Sequence, residues 1–149
     1  MDMLSRQGHR LLQLGVALLL FTSFEGFAVP YFASPNLGRS VHTLSALSAI
    51  LLIALGLTWP RLSLGTASSR IAFWLLIYSD LAIIASFVLA AFWGAGSTTM
   101  PIAAAGARGS GLQEAAIAAV AYSSAPTGIA AFALIFWGLR IASSRSDKR

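Results

Sequence analysis

Four apolar runs, residues 11–32, 42–59, 71–94 and 115–139, are each long enough to cross a lipid bilayer, and this limits what the chain can fold into more than any other feature. A helix rises about 1.5 Å per residue against a hydrocarbon core about 30 Å thick, so roughly 20 residues make one crossing. In lipid the backbone must satisfy its own hydrogen bonds, which leaves helices as the form such runs take. Of 149 residues, 57% are hydrophobic and 10% charged, more apolar surface than a soluble domain of this size can bury. The sequence predicts an all-α integral membrane four-helix bundle, one domain over residues 1–142, with a polar, disordered tail over 143–149.

The first run is preceded by Arg6 and Arg10, as in a secretory signal, but it is too long for one, and Phe24-Glu25-Gly26-Phe27 is a poor match to a small-residue cleavage site. It reads as a retained helix. Arg6, Arg10, Arg61, Arg70, Arg140, Arg145, Lys148 and Arg149 flank one side of the four spans, and only Arg39 and Arg108 flank the other. By the positive-inside rule both termini are expected in the cytoplasm. The pI near 10.8 does not indicate nucleic acid, because the charges sit in short caps beside apolar helices, where anionic lipid is the expected partner. The absence of cysteine excludes disulfides, thiolate catalysis and cysteine-ligated metal centres.

Pro30 and the segment Ser34-Pro35-Asn36-Leu37-Gly38 end the first helix, Trp59-Pro60 the second, and Gly94-Ala95-Gly96 the third. A longer, irregular outer loop follows, through Met100, Pro101, Gly106, Gly109 and Gly111. On the last span Ala119, Ser123, Thr127 and Ala131 recur every four residues, a small-residue stripe that permits close helix approach. Pro126 interrupts the same helix and frees a carbonyl that needs a partner.

Three polar side chains fall within or at the edge of the apolar runs, where each costs roughly 2–4 kcal/mol on insertion scales. His42 opens the second helix with Ala46 and Ala49 beneath it. It reads either as a neutral imidazole ligand for haem iron or another transition metal, or as an interfacial histidine bonded to a loop carbonyl. Asp80 lies near the middle of the third span, two residues after Tyr78, with no lysine or arginine at its depth. It is protonated, bonded to hydroxyls such as Ser79 or Ser123, or open to a wet cavity, in a structural or a functional role. Glu25 is expected to pair with Arg39. His9 and His42 lie on opposite sides of the membrane, so they cannot clamp one haem within a subunit. No nucleotide loop, HExxH or Ser-His-Asp set occurs, and Gly106-Ala107-Arg108-Gly109-Ser110-Gly111 follows no strand and carries no lysine.

An ordered set of short words spans nearly the whole chain. They are Gln7-Gly8-His9, Gly26-Phe27-Ala28-Val29-Pro30, Gly38 with His42, Gly56-Leu57-Thr58-Trp59-Pro60-Arg61-Leu62, Phe73-Trp74-Leu75-Leu76-Ile77-Tyr78, Trp93-Gly94-Ala95-Gly96, Met100-Pro101-Ile102-Ala103 with Gln113-Glu114, and Trp137-Gly138-Leu139-Arg140. This pattern resembles the hydroxylaminobenzene mutases and, more distantly, the styrene oxide isomerases. The resemblance implies a four-helix isomerase of a bacterial inner membrane. It would act on a small aromatic substrate, turning an aryl hydroxylamine into an aminophenol or an aryl epoxide into an aldehyde. It also implies a homotrimer with haem b between subunits, His42 at the place of the haem ligand, and haem iron acting as a Lewis acid on the substrate oxygen.

The chain departs from that pattern at pocket positions. Ser48 stands where the epoxide isomerases carry asparagine, Ile83 where a second asparagine falls, and Phe87 where a tyrosine falls. Asp80 is expected to supply polarity in compensation, with Tyr78 and Ser48 lining the same pocket as candidate catalytic groups. A catalytically silent haem-binding subunit and a cofactor-free membrane partner or transporter are the alternative readings.

Overall fold

The computed structural model describes the backbone of residues 2–146 and the side chains of residues 2–140. Helix α1 (Met3–Ala28) ends in a 3-10 turn (Val29–Tyr31), and α2 (Pro35–Thr58) in a second (Trp59–Arg61). Helix α3 (Thr66–Trp93), a one-turn helix α4 (Pro101–Ala104) and α5 (Gly111–Ser146) complete the chain. The four long helices are long and apolar enough to cross a membrane, so the all-α fold is consistent with a four-span membrane bundle. Each begins before the apolar run that announced it, because polar first turns carry the helix out of the core. In α1, Asp2 caps the end by accepting the Ser5 N–H at 2.7 Å, and that bond holds its carboxyl below the usual range. The tail expected from Ser143 is helical as far as Ser146, and residues 147–149 lie outside the described residues.

The long helices pack in series: α1 along α2, α2 on α3, and α3 along α5. Glycine sets the first seam, where a Cβ on Gly8 would stand 2.7 Å from the Gly56 carbonyl and one on Gly15 2.8 Å from the Ala49 carbonyl. Backbones touch there, as they do where lipid offers no hydrophobic drive and close packing must hold helices together. Between α3 and α5, a Cβ on Gly128 would meet the Ser79 hydroxyl at 2.6 Å. The buried seam of α5 is Ile117, Ala121, Ser124, Gly128, Ala131, Ile135 and Gly138, with steps of four and three. The expected stripe coincides with it only at Ala131, and Ala119 is exposed. Steps of four drift about 40° around a helix each time, whereas alternating fours and threes keep facing a neighbour.

Helix α5 continues through Pro126, whose missing N–H frees the Tyr122 carbonyl, while hydroxyls nearby bond the carbonyl of Ser124. Ser124 O accepts from Ser79 Oγ at 2.8 Å and from Thr127 Oγ1 at 2.9 Å. At the end carrying both termini, Gln7 Oε1 accepts from Trp59 Nε1 at 3.1 Å and from Ser69 Oγ at 2.6 Å. All three residues are buried, so the network ties α1 to the turn after α2 and to α3. Gln7→Ala leaves two buried donors unpaired at about 1–3 kcal/mol each, and is expected to lower stability by about 2–5 kcal/mol in reversible unfolding from mixed micelles. At the other end Glu114 gathers the irregular loop. Its carboxylate accepts the backbone N–H groups of Gly96 at 2.8 Å, Thr98 at 3.0 Å and Gly109 at 3.1 Å. Glu114→Gln is expected to speed amide exchange at these residues roughly tenfold or more, since a charge-assisted bond contributes about 1.5–3 kcal/mol.

Candidate functional site

Two apolar clusters fill the ends of the molecule, one around Trp59, Phe73 and Leu76 and one around Leu37, Val41 and Ile117. Asp80 and Ser48 are among the buried polar side chains. Asp80 is 8% exposed, and its Oδ2 has no hydrogen-bond partner. Ser48, on α2, is the polar neighbour of the carboxyl. Among the described residues no arginine or lysine approaches it, in keeping with the sequence.

Asp80 faces a cavity of about 200 Å³ whose other walls are apolar: Leu14, Ala17, Leu18 and Phe21 from α1, Leu52 from α2, and Ile77 and Leu81 from α3. An apolar cavity of about 150 Å³ takes up benzene, so this one suits a single aromatic ring with a small substituent. The α1 wall was present in the sequence as apolar residues spaced by three and four, but only the packing of α1 over α2 shows that this face meets Asp80. Ligand sites have this form, a largely apolar pocket with a few polar groups that orient what enters.

Tyr78 is directed elsewhere. Its hydroxyl lies 2.8 Å from Ser123 Oγ on α5, and the residue does not line the cavity. Ser79 likewise turns to α5, so neither hydroxyl is a partner of Asp80. Of the three expected catalytic side chains, the structure brings Asp80 and Ser48 together and sets Tyr78 apart. Phe87 lines an open outer groove of about 720 Å³ with Thr43, Leu47 and Met100. Ile83 lines neither space, and its carbonyl accepts from Ser86 Oγ at 2.7 Å.

His42 forms a second polar centre. Its Nδ1 lies 3.2 Å from Glu25 Oε2, across the seam between α2 and α1. The Glu25 side chain is 3% exposed and that of His42 46%, so a buried carboxylate supports a half-open imidazole. Gly26 leaves room for the ring, since a Cβ there would sit 3.1 Å from His42 Cε1. The expected Glu25–Arg39 pair is not formed. Arg39 Nη2 donates to Asn36 Oδ1 at 3.0 Å on the exposed start of α2, while Glu25 points into the seam. With Glu25 ionised, Nδ1 carries the proton, and Nε2 keeps its lone pair with no hydrogen bond among the described residues.

This arrangement fits a single imidazole ligand to iron, because a carboxylate on Nδ1 fixes the tautomer and strengthens the other nitrogen as a ligand. A porphyrin brings its own four nitrogens and needs only one such imidazole from the protein. Ser48 follows His42 by six residues, about 9 Å along the helix and about 120° around it. The imidazole and the Asp80 cavity therefore occupy different faces of α2 in one subunit.

Fold and site together are those of an all-α chain with four helices suited to span a membrane, a ring-sized apolar cavity carrying one carboxyl, and a separate imidazole–carboxylate pair. The family described as styrene oxide isomerase matches residues 7–140. The chain is 45% identical over 139 residues to hydroxylaminobenzene mutase HabB of Ectopseudomonas oleovorans, covering 93% of this chain and 85% of that protein. It is 36% identical over 125 residues to hydroxylaminobenzene mutase HabA of the same organism, covering 84% and 93%. No solved structure matches the chain. The chain thus belongs to the hydroxylaminobenzene mutase family, within the wider styrene oxide isomerase family, and is an enzyme of isomerase type.

Proposed function

We propose that this protein rearranges a small aryl hydroxylamine to an aminophenol in the membrane, with the Asp80 cavity as the substrate site and His42 as the ligand of haem b. The observation that carries the reading is the pairing of 45% identity to a hydroxylaminobenzene mutase with a buried, partnerless carboxylate oxygen in a ring-sized apolar cavity. The kinship also favours an enzyme over a catalytically silent subunit or a transporter.

The chemistry needed is heterolysis of an N–O bond without net oxidation or reduction. Phe21 and the leucines hold the ring, and Asp80 Oδ2 meets the N–OH group, the one polar part of the substrate. As the N–O bond breaks, Asp80 passes a proton to the hydroxyl oxygen and the positive charge spreads over the ring. The water so formed adds to a ring carbon. The ring proton then shifts to nitrogen, and the remaining proton returns to the Asp80 carboxylate. Ser48 orients that carboxylate, and the apolar walls delay exchange of the released water with bulk solvent.

Haem iron, when bound, would supply Lewis acidity at the His42 face of α2, apart from the Asp80 cavity of the same subunit. The residues that would hold it are His42, through Nε2, and Glu25, which keeps Nδ1 occupied. The half-exposed His42 face agrees with a homo-oligomer, a trimer by resemblance, in which a second copy covers the imidazole. In this reading both termini lie in the cytoplasm and the protein in a bacterial inner membrane, as the excess of arginine and lysine at that end supports. Lipid then delivers an apolar substrate directly.

Oxygen-18 tests this reading. In water enriched with the heavy isotope, the purified protein should form aminophenol that keeps the substrate's own oxygen in most of the product. Full exchange with solvent would reject a site shielded from bulk water, and absence of any aminophenol would reject the mutase reading.

A further inference from the structure

We propose that the groove between α1 and α3, at the end carrying both termini, binds an anionic phospholipid, its phosphate at Arg6, Arg10 and Arg70 and an acyl chain along Phe73, Trp74 and Ile77. The three arginines line one cleft of about 220 Å³. Arg6 and Arg10 lie one turn apart on α1, and Arg70 faces them from near the start of α3. Among the described residues none of the three forms an ion pair, and the nearby Asp2 accepts the Ser5 N–H as the cap of α1. The Asp2 carboxylate acts electrostatically on Arg6, whereas Arg10 and Arg70 have no ion-pair partner among the described residues, so the three guanidinium groups leave an excess of positive charge in one opening. Guanidinium binds phosphate oxygens in a fixed fork, and basic pockets between membrane helices take lipid headgroups.

The cleft does not end at the charges. It opens into a groove of about 440 Å³ along Leu14, Ala17 and Ile77, and Arg10, Phe73 and Trp74 belong to both spaces. Trp74 is 58% exposed there, the position of an interfacial aromatic. A free phosphate would use only the cleft, and a zwitterionic lipid would bring a cation toward three others. A diacyl lipid with net negative charge satisfies both halves of the groove. Leu14, Ala17 and Ile77 also wall the Asp80 cavity, so the acyl groove adjoins the proposed substrate site, while the arginine cleft is separate from it.

The test is lipid binding to the intact protein in detergent, counted by native mass spectrometry during titration with phosphatidylglycerol or phosphatidylcholine. Phosphatidylglycerol should bind at least tenfold tighter. Arg10→Gln should weaken it about fivefold and Arg10→Gln with Arg70→Gln about thirtyfold, at roughly fivefold per charge. Arg61→Gln removes a charge at the same end but outside the cleft, and should change binding less than twofold. Ala17→Trp, which fills the groove and leaves the charges in place, should weaken binding, and millimolar inorganic phosphate should not displace the lipid. Equal binding of the two lipids, an equal loss from Arg61→Gln and Arg10→Gln, or full displacement by inorganic phosphate would each overturn the proposal.

Discussion

Asp80→Asn is expected to lower turnover of hydroxylaminobenzene by about 10²–10⁴-fold, the usual contribution of a positioned general acid. The amide keeps the shape of the carboxyl and its bonding to Ser48, so cavity and fold persist while the proton donor to the N–OH oxygen is lost. Steady-state rates at saturating substrate check this, because the loss should fall on kcat. A purely structural Asp80 behaves differently, with altered unfolding and near-normal turnover. Asp80→Leu separates the roles further. It removes a buried, unpartnered oxygen, so it is expected to raise stability by about 1–3 kcal/mol while abolishing activity. A side chain that destabilises its surroundings and is nevertheless present fits a chemical role better than a packing role.

The second large effect concerns the imidazole. On the proposed haem assignment, His42→Ala is expected to remove the Soret band from protein purified out of haem-supplied cells, with helix content unchanged. Glu25→Gln is expected to retain haem at about 10–100-fold lower affinity, the common cost of losing an outer partner of a metal-bound histidine. Absorption titration with haem measures both. Asp80→Asn should leave that titration unaltered, since Asp80 and His42 face different sides of α2. If His42→Ala retained the band, the ligand would lie elsewhere. If Asp80→Asn lost it, the two centres would not be separate.

The membrane fold was legible because apolar run length depends on bilayer thickness alone, and four runs of sufficient length became four helices. The fine packing was less legible. The stripe of Ala119, Ser123, Thr127 and Ala131 is a true regularity of residue size, but which face of α5 is buried depends on where α3 lies. Asp80 stood out because a carboxylate in an apolar run has no cheap explanation, and its cavity is where the structure places it. Tyr78 was grouped with it from two residues' separation. On a helix that spacing turns a side chain about 160° away, and Tyr78 bonds to Ser123 instead. Glu25 was assigned to Arg39 because opposite charges were close in sequence, whereas the antiparallel seam of α1 and α2 presents it to His42. The words Gln7-Gly8-His9 and Trp59-Pro60 carried the family pattern without a stated reason. The Gln7, Trp59 and Ser69 network and the Gly8–Gly56 contact now give a structural one.

The most direct measurement is the product formed from hydroxylaminobenzene by the purified wild-type protein in nanodiscs, with no added oxidant or reductant, beside the Asp80→Asn variant. The account predicts an aminophenol of unchanged mass from the wild type and at least a hundredfold less from the variant. No aminophenol from folded wild-type protein, or equal amounts from the two, would contradict it.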